Sequence, residues 1–157
     1  MNRRFLAVSA ALGAAAVLAA PASADVIKPG VRMAGVKVGE SATQVKAKYG
    51  KPDRTRSDAD NAYTYWYKSR RLEIAFQNDK ISQISSKSRL DRTDNGLGRG
   101  SKLAAVRKGL FNEKCSSDNT YCEIFTKNLQ RHTGFALKNG VVVRVDVGYV
   151  QEAIPFD

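Results

Sequence analysis

The sequence predicts an α+β protein: tandem helix–three-strand repeats forming one curved antiparallel sheet, with the helices packed on one face. Three observations carry this expectation. The chain matches itself without gaps at an offset of 61 residues, each copy opens with a helix signal, and each continues into alternating apolar stretches closed by hairpin turns. Across the offset Gly35, Gly39 and Val45 fall on Gly96, Gly100 and Val106, and Ala75 and Asn78 fall on Ala136 and Asn139. Apolar positions keep the same spacing, with Ile74, Phe76, Ile81 and Ile84 corresponding to Phe135, Leu137, Val142 and Val145.

Residues 1–24 come first and read as a targeting signal. Arg3 and Arg4 precede an apolar run from Phe5 to Ala20, and Ala22-Ser23-Ala24 offers a small-residue cleavage site before Asp25. The run is too short and too rich in alanine for a membrane anchor, which needs about 20 apolar residues. The arginine pair matches a twin-arginine signal only in part, so ordinary secretion is favoured. Residues 25–157 are then a single domain of two repeats, about 31–91 and 92–152, with no transmembrane span in the mature chain. Loss of Arg3 and Arg4 lowers the formal charge from +11 to +9.

The first helix is announced by Ser41 and Gln44 at capping-box spacing and is stopped by Gly50, with Pro52 just beyond. Ala42, Val45 and Tyr49 form its apolar stripe, while Lys46 and Lys48 face water. The second helix is expected to be capped by Ser101 and to run to about Leu110 along Leu103, Val106 and Leu110. The glycines from Gly96 to Gly100 follow no apolar strand and lack a phosphate-loop spacing, so they read as a tight turn. Strands follow at Tyr63 to Tyr67 and Leu72 to Gln77, around a basic turn at Ser69-Arg70. Asn78-Asp79 and Asn139-Gly140 are hairpin turns, since these residues tolerate positive φ. Ile81 and Ile84, like Val142 and Val145, stand three apart, and a β-bulge in each final strand restores the alternation.

The sequence holds two cysteines and one histidine, which excludes most zinc sites, iron–sulfur clusters and disulfide-rich scaffolds. Export places Cys115 and Cys122 in an oxidising compartment, where they are expected to pair and pin the helix-to-sheet connection. No cofactor and no metal site is expected. Asp58 and Asp60 could begin a calcium loop but supply only two carboxylates.

The stretch Gly35-Val36-Lys37-Val38-Gly39, then Val45, then Gly50-Lys51-Pro52, resembles the helix-entry motif of SmpA/OmlA-type (BamE-like) envelope lipoproteins. Two helix–sheet repeats in a secreted chain also look like the β-lactamase inhibitor proteins of actinobacteria (BLIP-like). The run from Thr93 through Gly100, Val106 and Cys115 to Cys122 is similar to small secreted actinobacterial proteins with no assigned activity. These resemblances cover most of residues 31–149 and imply the fold and a binding role. The acylated cysteine of the lipoproteins is absent here, and the inhibitors' contact residues have no residue-by-residue counterparts.

Catalysis finds little support. His132 aligns with Arg71 across the offset, which suggests a strand-surface position, and no nucleophile–base spacing or carboxylate dyad accompanies it. Binding residues come from strand parity instead. A two-residue turn at Ser69-Arg70 pairs Tyr67 with Leu72, Tyr65 with Ile74 and Tyr63 with Phe76 on the helix side. Trp66 and Glu73 then share the open face, with Phe125 and Lys127 at related positions of the second copy. A three-residue turn would flip the parity and bury Trp66.

The favoured reading is a secreted, non-enzymatic binding module using the open face, inhibitor-like toward an unknown extracellular or envelope protein. The alternative is a basic envelope-associated protein that binds anionic wall polymers or lipid head groups. Its basis is a stripe of charge from Lys87 to Lys108, which carries seven basic residues against Asp91 and Asp94. No nucleic-acid-binding signature accompanies this stripe, and nucleic acid is not an expected partner.

Overall fold

The computed structural model describes residues 25–57, 61–110, 113–126, 128 and 130–150. Short strands β1 (Val26–Ile27), β2 (Arg32–Met33) and β3 (Val36–Lys37) precede α1 (Ala42–Tyr49). Next come β4 (Arg54–Ser57), β5 (Ala62–Tyr67), a 3₁₀ turn (Lys68–Arg70), β6 (Leu72–Gln77), β7 (Lys80–Ser86) and β8 (Arg92–Thr93). The chain continues through α2 (Leu103–Gly109), β9 (Lys114–Cys115), β10 (Tyr121–Phe125), β11 (Arg131–Lys138) and β12 (Val141–Tyr149). Strands β4 to β7 and β9 to β12 form one eight-stranded antiparallel sheet in the order β4-β5-β6-β7-β12-β11-β10-β9.

This corrects the expected α+β fold of tandem helix–three-strand repeats: the protein is mostly β, with one wide sheet and only two α-helices among the described residues. Those helices span eight and seven residues. Gly50, at φ 77°, ends the first one early. Strands β4 and β9 add to the sheet at its edges. Strand β4 carries no apolar alternation, because an edge strand whose side chains face water needs none; all four of its residues are exposed.

Local signals elsewhere act as the sequence suggested. Ser41 caps α1, its hydroxyl accepting from Gln44 N at 3.3 Å while Ser41 N donates to Gln44 Oε1 at 2.8 Å. Asn78 and Asp79 both take positive φ, as do Asn139 and Gly140, which suits the twist of a two-residue hairpin. The register shifts after Ala75 and after Ala136, leaving Ser82 of β7 and Val143 of β12 as bulge residues. The cap of α2 differs from expectation. Lys102 is the cap residue and makes no side-chain bond, because the Ser101 hydroxyl instead accepts from Gly98 N at 3.1 Å. Each helix entry docks on a hairpin turn, with Ala42 N donating to Asp79 O and Leu103 N to Gly140 O.

Pairing across the sheet separates its two faces. Tyr65, Ile74, Ile84, Val147, Thr133 and Ile124 stand in one cross-strand row. Tyr67, Leu72, Ser86, Val145, Phe135, Cys122 and Cys115 stand in the next row on the same face. The apolar members of these rows join Val45 of α1 and Val106 of α2 in one hydrophobic cluster. Burial of this one face is the main source of stability. Cys115 and Cys122 face each other across β9 and β10 and form a disulfide.

Candidate functional site

The face turned away from the helices carries one row that crosses all eight strands: Arg54, Trp66, Glu73, Ser85, Asp146, Gly134, Glu123 and Lys114. Trp66 and Glu73 are directly opposed, as the two-residue turn predicted. The loop itself is longer than that turn. Lys68 to Arg71 bridge the strands through the 3₁₀ turn, and Arg71 takes the left-handed φ of 54° that lets β6 begin. A four-residue loop preserves the parity that a two-residue turn would give. Asp53 clamps this loop, its carboxylate accepting from Lys68 N at 2.7 Å while Asp53 N donates to Trp66 O at 2.9 Å.

Trp66 is half-buried, and its ring has the guanidinium groups of Arg54 and Arg56 at 5.3 and 5.7 Å. Beside it opens a groove of about 410 Å³. Trp66, Glu73 and Ser85 contribute from the sheet face, and Lys68, Arg71, Lys87, Arg99 and Arg144 supply five cations. Arg99 arrives from the loop before α2, held by its Nη1 donating to Lys87 O at 3.1 Å. Arg92 braces the same loop by donating to Arg99 O at 3.2 Å. The Arg144 Nε lies 3.0 Å from the buried Asp146 carboxylate. Tyr67 borders the groove too, and burial raises the pKa of its phenol.

Tyr121 lies over Gly134, so closely that a β-carbon there would stand 1.7 Å from its Oη. Burial, then the nearby Asp146 charge, pushes the Tyr121 phenol pKa up. Phe125 sits opposite His132 on β10, in a neighbouring row, with Lys114 Nζ 5.7 Å from its ring. Four strands separate β10 from β5, so Phe125 stands roughly 24 Å across the sheet from Trp66 at about 4.8 Å per strand. The structure thus unites Trp66 and Glu73 and sets Phe125 apart. Lys127 lies outside the described residues, as do residues 1–24 and the Asp58 and Asp60 loop.

Sequence reasoning missed Arg144 and Tyr121 at this face, and it named Lys87 and Arg99 only as members of a charged stripe. One signal could have found Tyr121: a glycine within a strand, here Gly134, marks a close approach by another group. Among the described residues no group of three or more His, Cys, Asp or Glu is arranged to hold a metal. None of the described helices is long and apolar enough to cross a membrane.

A wide, mostly β sheet with one covered face and one grooved face defines the class. No family model and no curated protein matches the chain. Its fold is similar to that of a cysteine-rich secretory protein from Staphylococcus aureus subsp. aureus Mu50, at 15% identity and a TM-score of 0.56, over 82% of this chain and 49% of that one. It is also similar to an extracellular protein containing an SCP domain from Bacillus anthracis str. Ames, at 12% identity and a TM-score of 0.53, over 72% of this chain and 44% of that one. The chain thus spans about half the length of the structures it matches. Neither is a SmpA/OmlA-type lipoprotein or a β-lactamase inhibitor protein, the families the sequence led one to expect.

Proposed function

We propose that this protein is an exported, non-enzymatic binding module that engages its ligand through the open sheet face at Trp66. The observation that carries this reading is the opposed Trp66–Glu73 pair beside a groove of about 410 Å³, within the usual range of ligand sites. Export is supported by the signal-like residues 1–24, by the disulfide, and by the extracellular nature of the two similar proteins. The resemblance to inhibitor proteins makes another extracellular or envelope protein the first partner to seek. A second reading has its own observation. Lys87 and Arg99 of the basic stripe line the same groove, which supports retention on anionic envelope polymers or lipid head groups.

A pull-down from the native extracellular fraction tests both readings. Wild-type protein should retain a partner, and Trp66→Ala should release it with a loss of about tenfold or more in affinity. Removing a half-buried ring and two exposed cation–π contacts costs about 2–3 kcal/mol of stability, so the variant should remain folded at room temperature. A Trp66-anchored complex should survive salt, whereas charge-driven retention should fall steeply. Equal retention by wild type and a folded Trp66→Ala variant would remove the site from the face.

A further inference from the structure

Resting on the second of these readings, we infer that the groove's occupant is a phosphodiester-linked polyol chain. Five cationic side chains line the groove against the single carboxylate of Glu73. Arg144 is engaged by Asp146, but the side chains of Lys68, Arg71 and Lys87 make no salt bridge among the described residues. Lys68 and Arg71 come from the β5–β6 loop, Lys87 from the exit of β7, and Arg99 from the loop before α2. Like charges so gathered repel one another, and a polyanion would relieve that repulsion.

The choice among anions follows from geometry. Cations that converge from several directions suit a tetrahedral phosphate, whose oxygens can accept on every side; a planar carboxylate accepts mainly in its plane. An acidic peptide would need backbone partners, but β5, β6 and β7 are interior strands whose ladders are already paired on both sides. Bases of a nucleic acid would need an open ring to stack on, and Arg54 and Arg56 already stand over Trp66. A membrane surface would meet a flat or convex patch, whereas these cations line a concavity. Arg54, opposed to Trp66 on β4, extends the cations past the groove, which gives a repeating chain a track to follow.

Trp66 is the sole tryptophan, so its emission reports on this groove alone. Synthetic poly(glycerol phosphate) titrated into the full secreted chain should change that emission saturably. The affinity should fall about tenfold or more as salt rises from roughly 0.05 to 0.3 M, since screening shortens with ionic strength. K68Q/K87Q should weaken binding about tenfold, while the charge-matched K37Q/K138Q, at exposed sites elsewhere, should bind as wild type. Equal binding by the two double variants would overturn the location. Equal or tighter binding of poly-glutamate or oligo(dT) would overturn the ligand class, as would binding of phosphatidylglycerol vesicles without binding of the soluble chain. If the polymer fails to bind yet Trp66→Ala still loses a captured partner, this inference falls and the binding role stands. If Trp66→Ala changes nothing at all, both fall.

Discussion

Placing a methyl group at Gly134 should displace Tyr121 from the open face. The new β-carbon would stand 1.7 Å from Tyr121 Oη and 2.3 Å from its Cζ, so the ring must swing away. The backbone at Gly134 does not have positive φ, and the substitution therefore strains nothing but that contact. Displacing the ring forfeits roughly 100 Å² of apolar burial, about 2.5 kcal/mol at ~25 cal/mol/Å². Alanine in place of glycine within a strand returns roughly 0.5–1 kcal/mol. The net loss is about 2 kcal/mol, or roughly 6–10 °C in Tm at about 3–5 °C per kcal/mol for a chain of this size. Urea unfolding of wild type, Gly134→Ala, Tyr121→Ala and the double variant measures the coupling. With Tyr121 already removed, Gly134→Ala should stabilise by roughly 0.5–1 kcal/mol, giving a coupling of about 2.5 kcal/mol. An equal loss in both backgrounds would show that Tyr121 is not what the glycine accommodates.

Two further outcomes follow from elements elsewhere in the molecule. Intact mass before and after reduction should differ by two hydrogen atoms, and C115S/C122S should lose about 2–3 kcal/mol because the closed loop is short; free thiols in fresh protein would contradict the pairing. Asp91 is buried, which raises its pKa above the ordinary carboxylate value although Ser86 donates to it. Its neutral form therefore favours folding. That contribution is complete below the ordinary carboxylate value and is lost as pH rises through the raised one. Asp91→Asn should flatten the pH dependence of Tm across this window and raise Tm at pH 7; an unchanged profile would rule out the burial argument.

Much of the sheet's local geometry was legible because it depends on neighbours in sequence. The alternation from Tyr63 to Phe76 gave the pairing of β5 with β6 and put Trp66 opposite Glu73. The three-residue spacing of Ile81 and Ile84 gave a bulge, and Asn139-Gly140 gave a turn. The fold class was misjudged where strands carry no apolar signal. Arg54 to Ser57 carry no strand signal, yet they pair with β5 through backbone groups that no side-chain pattern reports. The groove was only half visible for a related reason. Arg99 and Arg144 are 45 positions apart in the chain, and only the joining of β7 to β12 brings them together. Phe125 was chosen by the 61-residue offset from Thr64, but an equivalent position on a wide sheet is a distant one.

The two edge strands carry a consequence for how molecules meet one another. An open edge invites another chain to add its own strand, and stacking of that kind leads to aggregation. Here β4 presents Arg54 and Arg56, and β9 is only two residues long, presents Lys114 and is tethered by the disulfide. Two molecules approaching edge to edge bring like charges together before any backbone bond can form. This protection is electrostatic, so it weakens as the screening length falls from about 10 Å at 0.1 M salt to about 3 Å at 1 M. Concentrated solutions should therefore stay clear at low ionic strength and cloud in brine, the reverse of a protein whose self-association rests on attraction between opposite charges.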